Sequence, residues 1–340
     1  MTTFPHISIV IPTYNAPEDV QRCLLSLAAV TYPSWDILIV DQSDDTRTQN
    51  VVEGLVSRIP QVRYRHRRTK GTCHARNVGL AETRGDIIGF LDHDCTVEPD
   101  WLMKVADVLD RHPQAAHIFG DVRTPDGSPE WGIEGWTPTV KTAQEFEAST
   151  IGSMHNRLTL PHLTSMGAHM FVRREAAQCV GFFDVHFGPG SRFPSSEDGD
   201  YTYRTLRSGY SVVRTPAIWV AHHGFRDYQS GAAARHLRTY QYSTGAWHMK
   251  VLRLGDPFAL AWILKELWKN LQYVQPQHLI RRRGPTGLSH VAIYVLGLVG
   301  SFQLRVDRRS QLYAARTLQS NTEKRVASGT ELKDSIHVHG

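Results

Sequence analysis

Two aspartates separated by one residue follow an apolar run in the stretch GFLDHDCTVEPD, residues 89–100. Asp92 and Asp94 come directly after a predicted strand, Ile87–Leu91, so both carboxylates are expected at one place. Such a pair is electrostatically unfavourable unless a cation lies between the two charges. Carboxylate oxygens suit Mg²⁺ or Mn²⁺, and these ions commonly bridge the phosphates of a substrate. The pair therefore predicts a divalent cation that holds a diphosphate.

A second acidic cluster, Glu197-Asp198-Gly199-Asp200, stands at the start of a predicted helix. Acidic residues in a first helical turn often only cap the helix and complement its dipole. Two carboxylate centres in one protein also suit a division of work, in which one binds metal and the other removes a proton. Asp198 and Asp200 both remain candidates for that general base.

Two adjacent histidines and one arginine complete the set of candidate residues. His222 and His223 follow a predicted strand, and neighbours on a strand point to opposite faces, so at most one of them can face a site. Arg76 lies in a basic run, RYRHRRTKGTCHAR, inside a predicted helix that begins after Gly71. Its guanidinium could reach a bound phosphate from there.

The elements that must position these residues alternate between strands and helices in the first third of the chain. The predicted strands are Ile7–Ile11, Ile37–Val40, Val62–His66 and Ile87–Leu91, and the helices are Pro17–Val30, Thr46–Ser57, Cys73–Thr83 and Trp101–Leu109. This alternation predicts parallel βαβ units in an open sheet, where ligands bind at the carboxyl ends of the strands. The aspartate pair lies at that edge.

The pattern weakens in Thr124–Thr164, which is predicted to be a long and functional loop. Regular pattern returns at Ser165–Val172, followed by a helix in SSEDGDYTYRTLRSGY and short strands at Val212–Val213 and Ala217–Val220. Beyond His223 the chain reads as helical and basic.

Composition sets the broad class. The 340 residues are 41% hydrophobic, enough for one large domain with an appendage, and the net charge of +5 favours an anionic partner such as a nucleotide or an acidic membrane surface. The four cysteines form no CxxC pair, which argues against a zinc knuckle or a disulfide framework. The N-terminus lacks the pattern of a signal peptide. We therefore expect a cytoplasmic protein.

Four segments together resemble the family 2 glycosyltransferases with the GT-A fold. They are ISIVIPTYN, ILIVDQSDD, GTCHARNVGLAETRGDIIGFLDHDC and GFFDVHFGPGSRFPSSEDGDYTYRTLRSGY, in this order, between Ile7 and His223. The resemblance implies an α/β fold of GT-A type, with a Rossmann-like, mostly parallel sheet flanked by helices and followed here by a C-terminal helical extension. It also implies a nucleotide-sugar donor, a divalent cation (Mg²⁺ or Mn²⁺), and inversion at the anomeric carbon.

The resemblance also assigns roles by position. Nucleotide binding falls to Pro12, Thr13, Asn15, Asp41, Arg76 and Asp92. Metal binding falls to Asp94 and, as in some members, His222 or His223. Asp198 matches the catalytic base, with Asp200 as its rival. The wall beside donor sugar and acceptor is assigned to Gly167, Ala168, His169 and Glu197, and we add Trp131 and Trp136 because aromatic faces pack well on sugar rings. The Asp41-Gln42-Ser43 sequence replaces the two aspartates and glycine of many relatives, which leaves the base open.

These assignments predict a domain plan and a function. Residues 1–225 form the catalytic domain, with the nucleotide sugar at about 1–122 and the acceptor at about 123–225, followed by a helical extension at 226–310 and a polar, flexible tail at 311–340. The expected function is transfer of a sugar to a saccharide or lipid-linked acceptor in surface polysaccharide or glycolipid synthesis. No nucleic acid partner is expected, and the oligomeric state stays open.

Two other functions compete with this one. A nucleotidyltransferase also binds nucleotide and metal, but no glycine-rich loop lies near the first strand and the Glu197-Asp198 pair would have no role. A non-catalytic sugar-binding relative would not need the intact Asp92, Asp94 and Asp198.

The extension allows two interpretations. A helical pattern with Trp262, Leu264, Leu267, Trp268 and Leu271 is followed by Arg281–Arg283 and an apolar segment, Gly287–Leu304, too interrupted by polar residues for a membrane span. These helices either pack back on the catalytic domain or rest on the inner face of the cytoplasmic membrane, with tryptophans at the interface.

Overall fold

The computed structural model describes residues 4–125, 144–146, 167–224, 232–272 and 287–315. Trp131 and Trp136, predicted to face a sugar, lie outside the described residues, as do the chain from 316 onward and Arg281–Arg283.

One nine-stranded sheet forms the centre of the protein. Its strands are β1 Ile7–Thr13, β2 Trp35–Asp41, β3 Val62–His66, β4 Ile87–Leu91, β5 Cys95–Thr96, β6 Ala115–Arg123, β7 Gln144–Phe146, β8 His169–Arg173 and β9 Ser211–His222. The helices around it are α1 Pro17–Leu27, α2 Arg47–Leu55, α3 Thr72–Glu82, α4 Trp101–Arg111, α5 Arg174–Val180 and α6 Glu197–Arg207. The α/β class is confirmed.

The strand order is β3-β2-β1-β4-β8-β6-β9-β5, with β7 also paired to β9. The first four strands pair in parallel through βαβ connections, as the alternating pattern predicts. Strand β8 runs antiparallel between β4 and β6, and β5 and β7 run antiparallel to β9. The described sheet is therefore mixed, with parallel pairs among its first four strands and again between β6 and β9.

Alternate residues of β1 explain why the sheet needs cover on both sides. Ile9 and Ile11 join one hydrophobic cluster, whereas Val10, between them, joins another on the opposite face. Side chains alternate along a strand, so a continuous apolar run is stable only when both faces are buried. The helices provide that burial.

Two strands differ from the sequence prediction. The sequence does not indicate β6, because Ala115–Arg123 includes the polar residues His117 and Asp121, both buried here. The predicted strands Val212–Val213 and Ala217–Val220 are one strand, β9, whose pairing with β6 is irregular next to Pro216. Proline is accepted in sheets at such irregularities.

The C-terminal region continues with α7 Ala232–Arg253, α8 Phe258–Gln272, α9 Gly287–Gly300, and a two-stranded sheet of β10 Leu304–Val306 and β11 Tyr313–Ala315. Trp247 of α7 stacks on Trp262 of α8, with ring centroids 5.6 Å apart, and both rings meet Tyr203 of α6 edge-on. These helices therefore share a hydrophobic cluster with the first 225 residues. Among the described residues, no helix combines the length and apolar character needed to cross a membrane.

Candidate active site

The site forms where strands β4 and β9 end and strands β5 and β8 begin. Because β4 and β8 are antiparallel, the end of β4 lies beside the start of β8, and the Asp92 N–H donates to the Ala168 carbonyl at 3.1 Å. Strand β5 pairs Cys95 with His222 at the end of β9, and the His223 N–H donates to the Asp94 carbonyl at 2.9 Å. Sheet pairing thus brings the two predicted aspartates to the histidines.

Asp94 and His222 form the core of a candidate metal centre. The His222 Nε2 lies 3.2 Å from Asp94 Oδ2, and ligand atoms of Asp94, His222 and Cys95 lie within 4.8 Å of one another. The other Asp94 oxygen, Oδ1, is buried and has no hydrogen-bond partner among the described residues. A buried carboxylate oxygen without a donor fits a cation ligand, and carboxylate with imidazole suits a divalent ion.

The surroundings of Asp94 keep it ionised. Burial by itself raises its pKa, but the hydrogen bond and the charge of His222 outweigh burial, so the pKa is lowered from its ordinary value. The backbone of Gly224 passes close to this pair, and a Cβ at that position would lie 2.2 Å from Asp94 Oδ2. Any larger residue at that position would displace the carboxylate.

His223, the other predicted metal ligand, does not face this centre. Its Nε2 lies 2.9 Å from Thr96 Oγ1, on the opposite side of the strand from His222. The structure thus favours His222 as the single histidine of the site.

Asp198 lies in the first turn of α6, and among the described residues its carboxylate accepts hydrogen bonds from backbone N–H groups. The Gly199 N–H donates to Oδ1 at 2.7 Å, and the Gly167 N–H donates to Oδ2 at 3.2 Å. Burial, followed by the negative charge of Glu197, raises the pKa of Asp198 to about 7. A carboxylate with a pKa near neutral pH is well suited to accept a proton and later release it.

The turn before Asp198 is strained. Ser196 adopts a left-handed conformation with φ of 71°, which is uncommon for a residue other than glycine. Such strain persists only where the surrounding structure holds it, and it is frequent at active sites. The turn therefore fixes the direction in which Glu197 and Asp198 leave the backbone.

Asp200, the rival base, is removed from the site by its own contacts. Its side chain is 1% exposed, Oδ1 accepts from Lys250 Nζ at 2.6 Å, and Oδ2 accepts from Arg204 Nε at 2.9 Å. Both oxygens thus belong to buried ion pairs. Asp200 does not have an oxygen directed at a substrate.

Arg76 lies between the two carboxylate centres, beside Glu197 of one and Asp92 of the other. Its Nη1 donates to Glu197 Oε1 at 3.2 Å and its Nη2 donates to the Gly167 carbonyl at 2.8 Å, while Asp92 Oδ1 lies 3.6 Å away. The guanidinium side chain is only 2% exposed. Arg76 therefore lies among these carboxylates, and its contact with a nucleotide stays a prediction.

His169 is corrected from a wall residue to a core residue. It is fully buried, accepts a hydrogen bond from Trp101 Nε1 at 3.0 Å, and lies 3.1 Å from the Asp121 carbonyl through Nδ1. Burial lowers its pKa to about 4, so the ring is neutral at physiological pH. By contrast, Gly167 and Ala168 reach the site through their backbones.

The predicted nucleotide residues at the ends of β1 and β2 lie together. The Asn15 N–H donates to Ser43 Oγ at 2.8 Å, and the Pro12 carbonyl lies 3.2 Å from His93 Nδ1. Thr13 is 3% exposed, and its Oγ1 lacks a hydrogen-bond partner in the described part of the chain. Asp41 is fully buried and accepts from Tyr64 Oη at 2.6 Å, so its carboxylate is already partly used.

Comparison with known proteins decides the family. The model of Glycosyl transferase family 2 matches residues 8–181, which is half of the chain. The chain is a family 2 glycosyltransferase. The matched region includes Asp92 and Asp94 but ends before Asp198 and His222, whose roles rest on the geometry above.

Relatives of this glycosyltransferase extend the match. It is 24% identical over 300 residues to glycosyltransferase AglE of Haloferax volcanii, covering 87% of this chain and 91% of that one. It is 30% identical over 223 residues to the succinoglycan biosynthesis protein ExoM of Rhizobium meliloti, covering 63% and 66%. The mannosyltransferase PcManGT of Pyrobaculum calidifontis, solved with GDP-Man and Mn²⁺, has a TM-score of 0.55 at 16% identity and covers 88% of both chains. That likeness confirms the GT-A fold.

One further candidate at this edge of the sheet is not among the residues predicted from the sequence. Tyr14 directly follows β1, is 50% exposed, donates to Asp44 Oδ2 at 2.9 Å, and has Lys70 Nζ 4.4 Å from its ring centroid. An aromatic face at this edge can stack on a nucleotide base. The sequence offers one indication of this role: an aromatic residue stands between Thr13 and Asn15, both of which are predicted to bind the nucleotide.

Proposed function

We propose that this glycosyltransferase transfers a sugar from a nucleotide-diphosphate sugar to an acceptor hydroxyl in one displacement that inverts the anomeric carbon. The observation that carries the proposal is Asp198, a carboxylate with a pKa near 7 that Arg76 and Glu197 connect to the aspartate pair. A base on one side and a diphosphate site on the other are what a single displacement needs.

The mechanism follows from what each residue can do. Asp198 accepts the proton of the acceptor hydroxyl while that oxygen bonds to C1, and the bond from C1 to the phosphate oxygen breaks. The nucleoside diphosphate leaves with the electron pair of that bond. Asp94 and His222 would hold a divalent cation, Mg²⁺ or Mn²⁺, which when bound neutralises charge on the leaving diphosphate. Arg76 holds Glu197 and the Gly167 carbonyl in place.

The comparisons support the substrate classes. PcManGT was solved with a nucleotide sugar and Mn²⁺, and ExoM is named for succinoglycan biosynthesis. We propose the same classes here, a nucleotide sugar with a divalent cation and a saccharide or lipid-linked acceptor for a surface polysaccharide or glycolipid.

A panel of nucleotide sugars tests the function. We expect one donor to be consumed with a divalent cation present, slowly alone and faster with acceptor, releasing a nucleoside diphosphate. Chelation of the cation should stop turnover, and the product should have the inverted anomeric configuration. Release of pyrophosphate would instead indicate a nucleotidyltransferase, and a retained configuration would contradict the single displacement.

A membrane position for the enzyme has support in the exposed surface of α8 and α9. Trp262, predicted at the membrane, is buried, so the prediction is wrong for that residue. Other apolar residues, spaced three or four apart on α8, are between 50% and 64% exposed: Leu260, Leu264, Trp268 and Leu271. On α9, similar residues are between 39% and 60% exposed: Leu288, Val295, Leu296 and Val299.

Charge favours an anionic membrane as the partner of these faces. Residues 257–310 contain eight Lys and Arg but two Asp and Glu, an excess larger than the net charge of +5 of the whole chain. On α8, Lys265 and Lys269 are exposed beside Leu264 and Trp268. Apolar side chains flanked by basic ones bind anionic interfaces. We propose peripheral contact with the inner face of the cytoplasmic membrane, where a lipid-linked acceptor would be available.

Liposome flotation tests this contact. The protein should float with vesicles that contain anionic lipid and less with neutral vesicles, and Leu264→Gln with Trp268→Gln should abolish flotation. Phe182→Gln is the matched control, because Phe182 is 51% exposed but lies outside these helices. Equal flotation of both variants would contradict the proposal. Sedimentation that shows a dimer lost in the double variant would indicate a second copy of the chain as the partner.

A further inference from the structure

A buried cluster of four charges lies under the first turn of α6. Lys250 of α7 is fully buried, and its Nζ lies 2.6 Å from Asp200 Oδ1 and 2.8 Å from Asp184 Oδ2. Arg204 Nε donates to the other oxygen of Asp200 at 2.9 Å. Two carboxylates and two cations balance one another, which is the condition under which buried charges are tolerated.

The cluster ties distant parts of the chain together. The second carboxylate, Asp184, accepts from the backbone N–H of Tyr313 at 2.8 Å and of His186 at 3.0 Å. Lys250 Nζ also lies 5.3 Å from the Phe187 ring centroid and 5.4 Å from that of Tyr313. A residue of the C-terminal helices therefore holds the segment that leads into α6.

The first turn of α6 is fixed from both sides. Arg76 donates to Glu197 on one side, and Lys250 donates to Asp200 on the other. Asp198 stands between these two residues and, within the described part of the chain, accepts backbone hydrogen bonds from Gly167 and Gly199. Its position thus depends on contacts made by its neighbours.

We propose that Lys250 is a positioning residue for the base, which makes the C-terminal helices part of the catalytic machinery. This inference rests on the proposed role of Asp198. Without the ammonium, the first turn of α6 loses its contact with α7 and with Asp184, so it is held less firmly. A displacement of about 1 Å at a reacting group can lower a rate by about 100-fold.

The test removes the ion pair between Lys250 and Asp200 while keeping the net charge of the buried cluster at zero. In Lys250→Met combined with Asp200→Asn, Asp184 and Arg204 still offset each other in net charge. The control is Arg253→Met, one turn along the same helix, because Arg253 donates to the carbonyls of Ser301 and Leu304, which lie outside α6. Calorimetric titration with nucleoside diphosphate and Mn²⁺ counts the folded binding sites, so that kcat is expressed per competent molecule.

We expect kcat per site to fall about 10- to 100-fold in the double variant. Donor affinity should stay within about twofold of the parent value. The acid limb in the pH profile of kcat should shift. Arg253→Met should keep the kcat and the pH profile of the parent protein. Parental kcat and pH profile in the double variant would overturn the proposal. Asp198→Asn run in parallel separates the two claims: full activity of that variant would refute the base itself.

Discussion

Asp198 and Asp200 lie two residues apart in the same helical turn, yet the structure gives them opposite surroundings. In the described structure Asp198 accepts hydrogen bonds from the N–H groups of Gly167 and Gly199, and its pKa is raised to about 7. Both oxygens of Asp200 are paired with the buried cations of Lys250 and Arg204. The same functional group can therefore serve as a base at one position and as a structural anchor at the other.

The difference shows what makes a carboxylate reactive. An ion-paired carboxylate is stabilised in its charged form and gains little from a proton at neutral pH. A carboxylate partly buried beside another negative charge is less stable when ionised, so it accepts a proton more readily. Neighbouring charge, rather than residue type, separates the two roles.

The largest expected effect is on transfer by Asp198→Asn. The amide keeps the shape of the side chain but cannot accept the acceptor proton, so we expect kcat to fall about 1,000-fold. Donor affinity, measured by calorimetry with Mn²⁺, should remain unchanged. A variant that retains transfer would remove the distinction between the two aspartates.

A second effect concerns stability in Asp200→Asn. The substitution leaves Lys250 with Asp184 as its single carboxylate and breaks the buried pair with Arg204. We expect the free energy of unfolding to fall by about 3 kcal/mol. Chemical denaturation of the parent and the variant measures it, and equal midpoints would show that this cluster does not anchor the turn.

The two histidines at the end of β9 provide a similar contrast at the metal centre. His222 lies against Asp94, whereas His223 lies against Thr96. We expect His222→Ala to raise the Mn²⁺ concentration required for half-maximal donor turnover by about tenfold or more, and His223→Ala to change it little. If the two substitutions had the reverse effects, the assignment of His222 would be wrong.

The smallest effect is a pH-dependent change in stability. Because the pKa of Asp198 is raised above its ordinary value, the folded state binds more protons between about pH 4 and 7, and stability falls as the pH rises through this window. In Asp198→Asn, this loss of stability with rising pH is absent. The Tm of the variant minus that of the parent should therefore increase by about 4 °C from pH 5 to pH 8. A difference that is constant with pH would argue against the raised pKa.

The fold could be predicted where local pattern decides structure. Strands β1, β2 and β4 are continuous apolar runs, and the sequence predicts them close to their observed bounds. Strand β6 could not be predicted, because its buried His117 and Asp121 do not form an apolar pattern and neighbouring strands hold it in the sheet.

The same contrast between local pattern and distant contacts applies to the residues of the candidate site. Asp92 and Asp94 could be predicted from their place at a strand end. The family resemblance favours Asp198 over Asp200, but the physical reason could not be read from the sequence, because it lies in Lys250, fifty residues further along the chain. The burial of His169 against Trp101 also depends on a contact between distant segments. Sequence pattern reports local geometry, whereas these roles depend on the tertiary environment.

The pH dependence of kcat tests the central claim most directly, because Asp198 must be ionised to accept a proton. We expect kcat to rise about tenfold per pH unit below an apparent pKa near 7 and to level off above it. Asp198→Asn should lose this limb, and Asp200→Asn should keep one. An acid limb that stays near pH 7 in Asp198→Asn but disappears in Asp200→Asn would show that the base is the other aspartate.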